Sequence, residues 1–493
     1  MRLSDLMVLV AAVGVVPLMA RRSRRWRMTL APVFATALVM QVADGWRWQL
    51  APAAAVVFGG LVAVMLPAAT HPLRRRQWMR RALLVTALVP AVASAALAIA
   101  LPVTGLPKPT GPRPIGTFTF TVDDTARVDP YAPGGVSRRF PVQVWYPAET
   151  AGPPAAWIDG DVVGAFSANV TAWLGLPPFA LRHLRLVATN ATELADPAPG
   201  PHPVVVYSHG WGGFRSIQSD LAEDLASRGY VVIAPDHTYG ALATRFPDGE
   251  VVGIEPSALP EPEDVSEEDY DRAARLLEQT YAQDLLTALE VVGAPDDPRL
   301  DRDPEIRRLL DALELDLTNV VMTGHSTGGG AATWACHELP GRCVGVVGFD
   351  PWLAPVPADY LTAGSDVPYV ALRSQEWLAL PNDEIVKNYL AASSGRTWTL
   401  AIPGSIHRDF TLMAFLSPLA HTLGLAGEVP AADLHAAVNL VTRTLADHAT
   451  SDAPTTTLDH PATPLDELAT ESQDTLGAAI PTTRRSMLSM ARV

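Results

Sequence analysis

Lysine is almost missing from this chain: Lys108 and Lys387 are the only two among 493 residues, and the remaining basic residues are arginine. The arginine bias fits a GC-rich genome and carries no functional reading of its own. Positive charge is in deficit altogether, with a formal net charge of −15 at pH 7, which argues against nucleic acid as a partner. Cysteine is equally scarce. Cys336 and Cys343 are too few for a cysteine metal cluster. They leave two options open, one disulfide in an oxidising compartment or two half-buried thiols. Internal repeats are lacking too. Apolar residues, in contrast, make up 48% of the chain, and their excess is concentrated in the first hundred residues.

Four apolar stretches fill that region, at about 6–20, 28–43, 50–69 and 82–101. A spanning helix needs about 20 apolar residues, a length the third and fourth reach and the first two reach only by borrowing flanking residues. A cleaved signal peptide would account for the first stretch alone. Arg21, Arg22, Arg24, Arg25 and Arg27 separate the first and second stretches, and Arg74, Arg75, Arg76, Arg80 and Arg81 the third and fourth. The loop between the second and third holds Asp44 and Arg47. Arginine stays cytoplasmic during insertion, so the expected topology is four transmembrane helices with both termini outside. The catalytic region then lies on the extracytoplasmic side of the cell membrane, where a disulfide becomes the better reading of the two cysteines.

The expected organisation is a transmembrane region over 1–104, a catalytic domain over 105–449 and a disordered tail over 450–493 rich in Thr, Pro, Asp and Ser. A Pro- and Gly-rich linker covers 102–114. Beyond it, apolar runs alternate with helical patterns, which implies an α/β fold with a mainly parallel sheet covered by helices on both faces. Strands are expected at 117–122 and 140–146, the two read as an antiparallel pair, and at 204–207, 230–234, 319–323, 344–349, 369–372 and 397–402. Helices are expected at 217–227 and 270–292.

One of these strands runs into Gly324-His325-Ser326-Thr327-Gly328, followed by Gly329, Gly330, Ala331 and Ala332. That is the layout of a nucleophile elbow, a strand-to-helix turn so sharp that only small residues fit around the serine. A serine hydroxyl needs a base within hydrogen-bond reach, and the base needs an acid to fix its tautomer. Asp350 directly follows the next strand. Glu376 and Asp383, after a later strand, are rivals for the acid. His407 follows the last strand in a loop containing Gly404 and is the expected base. Among the other histidines, His325 is expected to point away from the nucleophile, His337 to lie on the elbow helix, and His421 and His435 on later helical stretches. The oxyanion needs backbone N–H donors. Thr327, at the start of the elbow helix, should supply one. Trp211, in Ser208-His209-Gly210-Trp211-Gly212-Gly213 after the 204–207 strand, should supply the other. That glycine-rich loop lacks the lysine and the spacing of a phosphate-binding loop.

Taken together, the segments Tyr207–Arg215, Ala234–His237, Gly324–Gly329 and Phe349–Trp352, with Val142–Pro147 and Gly404–His407, resemble the platelet-activating factor acetylhydrolase family (plasma and intracellular type II). The similarity covers about 117–445. It implies an α/β-hydrolase fold and hydrolysis of short or oxidised acyl chains from phospholipids without calcium, so no cofactor or metal is expected. It also favours Asp350 as the acid, and assigns His407 as the base and the Trp211 and Thr327 amides as the oxyanion donors. Thr327 departs from the family, which commonly has Phe there, and four preceding spans are not a family feature. The expected function is a membrane-anchored serine esterase whose partners are an ester or lipid substrate and the bilayer. The alternatives are an acyltransferase using the same triad and a non-catalytic receptor or scaffold on a hydrolase fold.

Overall fold

A computed structural model describes residues 1–20, 24–65, 77–300, 303–451 and 453–459. The chain divides into two compact units. The first is Met1–Thr104 joined by His183–Val187 and Leu416–Ala420, and the second holds the other described residues.

The first unit has four helices: α1 (Leu3–Ala20), α2 (Arg24–Ala43), α3 (Ala51–Met65) and α4 (Gln77–Ala100). Its interior mixes an apolar core that includes Val8, Val15, Phe34, Leu50 and Val57 with buried polar groups. Ser4, Asp5, Gln41, Arg47, Gln49 and Ser94 are fully buried, while Val10, Val39, Val42, Phe58, Val85, Leu88, Val92 and Ile99 are exposed. Arg47, expected in a loop, turns inward and pairs with Asp5 at 2.6 Å. It also donates to the Leu101 carbonyl at 2.7 Å. The expectation of four transmembrane helices is not supported: among the described residues, no helix is long and apolar enough to cross a membrane. Arg24, Arg25 and Arg27 occupy the start of α2. Arg21, Arg22, Arg74, Arg75, Arg76 and the tail from residue 460 lie outside the described residues.

In the second unit the strands are β1 (Ile115–Val128), β2 (Ser137–Pro147), β3 (Pro154–Ala156), β4 (Ala188–Glu193), β5 (His202–Ser208), β6 (Val231–Pro235), β7 (Ala243–Arg245), β8 (Val251–Gly253), β9 (Leu315–His325), β10 (Cys343–Phe349), β11 (Tyr369–Ser374) and β12 (Thr397–Ile402). Ten of them form one sheet in the order β12-β11-β10-β9-β5-β6-β2-β1-β4-β3, and β7 and β8 pair separately. From β12 to β6 all neighbours are parallel. Against that block β2 runs antiparallel to β6 and to β1. The α-helices among the described residues are α5 (Val163–Leu174), α6 (Ser219–Ser227), α7 (Glu267–Val292), α8 (Pro304–Ala312), α9 (Thr327–His337), α10 (Ala358–Ala363), α11 (Pro381–Ala392), α12 (Ala431–Ser451) and α13 (Thr456–Asp459). This is the α/β-hydrolase arrangement, with the switch in strand order that places ligands at the carboxyl ends of the parallel strands.

The local causes are visible in the sequence. Val204, Val205 and Val206 of β5 and Val320, Val321 and Met322 of β9 are all fully buried, because central parallel strands are covered on both faces. The Ser266 hydroxyl caps α7 by accepting from the Asp269 amide, and three acidic residues fill its first turn, where the helix dipole favours them. Its buried stripe, Ala274, Leu277, Tyr281, Leu285, Ala288 and Val292, recurs at helical spacing and packs on the sheet. Cys336 and Cys343 form a disulfide that ties the end of α9 to the start of β10. Closing so short a loop restrains the unfolded chain by about 2.5 kcal/mol.

Candidate active site

Ser326 stands between β9 and α9 with φ 58° and ψ −124°, a backbone region that L-residues avoid and that strand-to-helix elbows enforce. Its surroundings explain the glycines. A Cβ on Gly324 would lie 2.2 Å from the Gly328 carbonyl oxygen, and one on Gly328 would lie 2.3 Å from that of Ser208. The turn is fixed by the Ser326 amide donating to the Phe349 carbonyl at 2.9 Å, and by the Trp352 amide donating to the Ser326 carbonyl at 3.0 Å. The serine itself is half-buried and so accessible, whereas Thr327 behind it is buried.

Asp350 follows β10 with φ 44°, a second strained residue, and its carboxylate is fully buried. Ser374, the last residue of β11, donates its amide to Oδ1 at 2.7 Å and its hydroxyl to Oδ2 at 2.6 Å. His407 Nδ1 donates to the same Oδ2 at 2.8 Å. The imidazole is held on several sides. Trp377 stacks on it with centroids 4.3 Å apart and planes 9° apart. The His407 amide donates to Glu376 Oε2 at 2.9 Å. Asp409 steadies the loop by accepting from the Ile406 amide at 2.8 Å. Both rivals for the acid are thereby accounted for. Glu376 holds the backbone of His407, and Asp383 is paired with Arg373 and, at 2.7 Å, with Lys387.

The glycine-rich loop after β5 lies against the elbow: a Cβ on Gly210 would be 3.0 Å from Ser326 Cβ. The Gly212 amide donates to the Gly240 carbonyl and the Gly213 amide to Gly210, both at 2.9 Å. The Trp211 amide makes no hydrogen bond to another described residue. It follows Gly210, the residue packed against Ser326.

The positions expected from sequence, Trp211, Ser326, Thr327, Asp350 and His407, follow the carboxyl ends of β5, β9, β10 and β12, and of these Asp350 and His407 are joined by a hydrogen bond. Two expectations are corrected. His325 does not turn away from the site: its ring lies 4.3 Å from that of His407, and its Nε2 donates to the His407 carbonyl at 3.0 Å. His421 lies in a turn, not a helix. Ser374 and Trp377 escaped the sequence reading, since nothing in the chain advertises a serine or tryptophan after a strand. For His325, membership of the elbow motif was a signal available to be read.

Burial sets the electrostatics. It pushes His407 down from the ordinary 6.5 to about 4, Glu376 pulling the other way. It pushes His325 well below the ordinary range, with His407 adding to the effect, and lowers His209. Burial also drives the Asp350 carboxyl up, opposed by the two Ser374 hydrogen bonds. A base must be unprotonated to act, so activity is lost as pH falls through the His407 value. The acid limb of kcat/KM is expected near 4, well below the usual histidine range, and a pH–rate profile with an acid limb at 6.5 or above would contradict this assignment.

The sequence profile of the family described as Platelet-activating factor acetylhydrolase, isoform II, matches residues 103–449. A Cavia porcellus protein named platelet-activating factor acetylhydrolase is 24% identical over 315 residues, covering 61% of this chain and 70% of that protein. The Bos taurus protein of the same name is 25% identical over 295 residues, covering 58% of this chain and 61% of that protein. Among solved structures, a ferulic acid esterase from Streptomyces cinnamoneus superposes with a TM-score of 0.59 at 27% identity, covering 73% of this chain and 97% of its own.

Proposed function

This chain belongs to the platelet-activating factor acetylhydrolase isoform II family and is a carboxylic-ester hydrolase of α/β-hydrolase fold, and we propose that it acts through an acyl-enzyme on Ser326. Ser326 Oγ bonds to the ester carbonyl carbon as its proton passes to His407 Nε2. Asp350 holds Nδ1–H, so that Nε2 presents its lone pair to the serine. The Trp211 and Thr327 amides take the charge that develops on the carbonyl oxygen. When the carbon–oxygen bond to the alcohol breaks, the leaving oxygen takes the proton from His407. Water then repeats the sequence on the acyl-enzyme. The observation that supports this reading is the His407–Asp350 hydrogen bond, in a chain whose elbow serine is held at positive φ.

The substrate class we propose is a phospholipid with a short or oxidised acyl chain, on the strength of the names of the relatives. The place of action we propose is a membrane surface on the extracytoplasmic side. Support for the membrane comes from the four-helix unit, which buries Asp5, Gln41, Arg47 and Gln49 while Val10, Val39, Val42, Phe58, Val85 and Leu88 stay exposed. That pattern suits an apolar surrounding medium. Support for the compartment comes from the disulfide, which persists where thiols are oxidised. A panel of 4-nitrophenyl esters of rising chain length, a feruloyl ester, and vesicles carrying a short-chain phospholipid tests the substrate. Cleavage of the phospholipid in vesicles is expected, falling off with acyl length. Turnover of soluble esters with intact vesicle lipid would overturn the lipid assignment. For location, alkaline extraction should leave the full chain with the membranes, and a reporter active only in the cytoplasm, fused after Leu101, should stay silent.

A further inference from the structure

A second Ser–His–Asp series lies directly beneath the oxyanion loop. Ser208, the last residue of β5, has its Oγ 2.9 Å from His237 Nε2. His237 Nδ1 is 3.0 Å from Asp284 Oδ2 on α7. The carboxylate of Asp284 is held in turn by Arg138 at 2.6 Å and by Arg127 at 2.8 Å. With Asp284 an obligate acceptor, Nδ1 carries the ring proton, so Nε2 accepts and the Ser208 hydroxyl donates. The atoms repeat the order found at Ser326, yet Ser208, His237 and Asp284 are all fully buried. No substrate reaches them, and Ser208 has ordinary strand backbone where Ser326 is strained.

The series is wired to the catalytic loop instead. The His237 amide donates to His209 Nε2 at 3.1 Å, which leaves the His209 proton on Nδ1, where it is given to the Gly210 carbonyl at 2.7 Å. Gly212 donates to the Gly240 carbonyl, and Leu242 to that of Gly213. Segment 208–213 is therefore fastened at four points to the segment following β6. His237 joins this fastening to the ionic cluster of Asp284, Arg138 and Arg127, and Arg138 adds a bond to the Thr238 carbonyl at 2.9 Å. Tyr281 stacks on its ring at 3.7 Å and fixes its plane. The backbone so fastened is what touches the elbow, since Gly328 leaves no room for a Cβ against the Ser208 and His209 carbonyls.

We infer that Ser208, His237 and Asp284 are positioning residues that set the Trp211 amide against Ser326, and that Ser208 is no second nucleophile. The inference rests on the esterase reading above. An oxyanion donor must lie within about 2.7–3.1 Å of the developing charge, so a shift of a few tenths of an ångström in the loop is felt in the transition state and little in the bound ester.

The test uses the full chain, 4-nitrophenyl acetate and a fluorophosphonate. Ser208→Ala is expected to lower kcat about tenfold with KM within about twofold, a partial form of the loss seen when a donor is removed outright. The rate of fluorophosphonate inactivation should fall by the same factor, and the acid limb of the pH profile should stay where it is. Ser208→Thr, which keeps the hydroxyl, should restore kcat. Should Ser208→Ala fail to fold, His237→Gln is measured in the same way, with the same split expected. A kcat within about twofold of wild type overturns the inference. So does a loss confined to KM, or a shifted acid limb, which would mean the change acts through His407. Wild-type protein that neither hydrolyses the ester nor takes the label sinks the esterase reading itself, and the inference with it. An active wild type with an undisturbed variant sinks the positioning role alone.

Discussion

Ser326→Ala is expected to abolish labelling by a fluorophosphonate and to lower kcat on 4-nitrophenyl acetate by about 10⁶-fold, the scale on which a lone nucleophile is missed in serine hydrolases. His407→Ala should fall about as far, and the double variant no further. The reason is that the two groups act in one event: without the imidazole the serine proton has nowhere to go, and without the serine the imidazole has nothing to deprotonate. What remains is the binding and electrostatic contribution of the oxyanion amides, which neither change touches. Folding should survive, because alanine and serine meet the same strain at φ 58°. Thermal unfolding close to wild type therefore separates lost chemistry from lost structure. Labelling that persists in Ser326→Ala would move the nucleophile elsewhere.

The parts of this site legible in the sequence were those written in local patterns. An apolar strand, a serine and a run of glycines must fold as an elbow, because the close approach of β9, α9 and the loop after β5 excludes side chains at Gly324 and Gly328. Asp350 and His407 follow strands, so their placement at one end of the sheet came with the strand order. Strand ends were less legible: β1 runs on to Val128 and β9 begins at Leu315, each beyond its apolar stretch, because pairing with a neighbour extends a strand past the residues it buries. The short strands β3 and β4 at one end of the sheet have too little apolar alternation to announce themselves. Contacts across long separations were not legible at all. Trp377 stacking on His407, Ser374 bracing Asp350 and the Ser208–His237–Asp284 series all join segments that meet only through the sheet. The first unit misled for a related reason. Apolar runs show that side chains prefer an apolar medium, but Asp5 and Arg47, read as flanking residues, are drawn together into the interior of the unit.

Asp350→Asn should lower kcat by about 10⁴-fold with little change in KM, and the hydrogen bonds dictate why. The carboxylate accepts from the Ser374 amide, the Ser374 hydroxyl and His407 Nδ1, three donors in all. An asparagine has one oxygen to offer. If that oxygen keeps the Ser374 amide, the NH₂ group faces His407 and must donate, which forces the imidazole proton from Nδ1 to Nε2. The base then presents a proton to Ser326 where it should present a lone pair, the tautomer error that costs about this much in serine proteases. Asparagine tolerates the left-handed backbone, so φ 44° is no obstacle to folding, as it would be for a β-branched residue. Two comparisons make the result specific. Glu376→Gln keeps an oxygen that can accept from the His407 amide and should cost less than about tenfold. Asp383→Asn, which breaks pairs with Arg373 and Lys387, should lower stability while the folded fraction retains kcat within about threefold. The acid would have to be reassigned only if one of these two showed the 10⁴-fold fall while Asp350→Asn kept its activity.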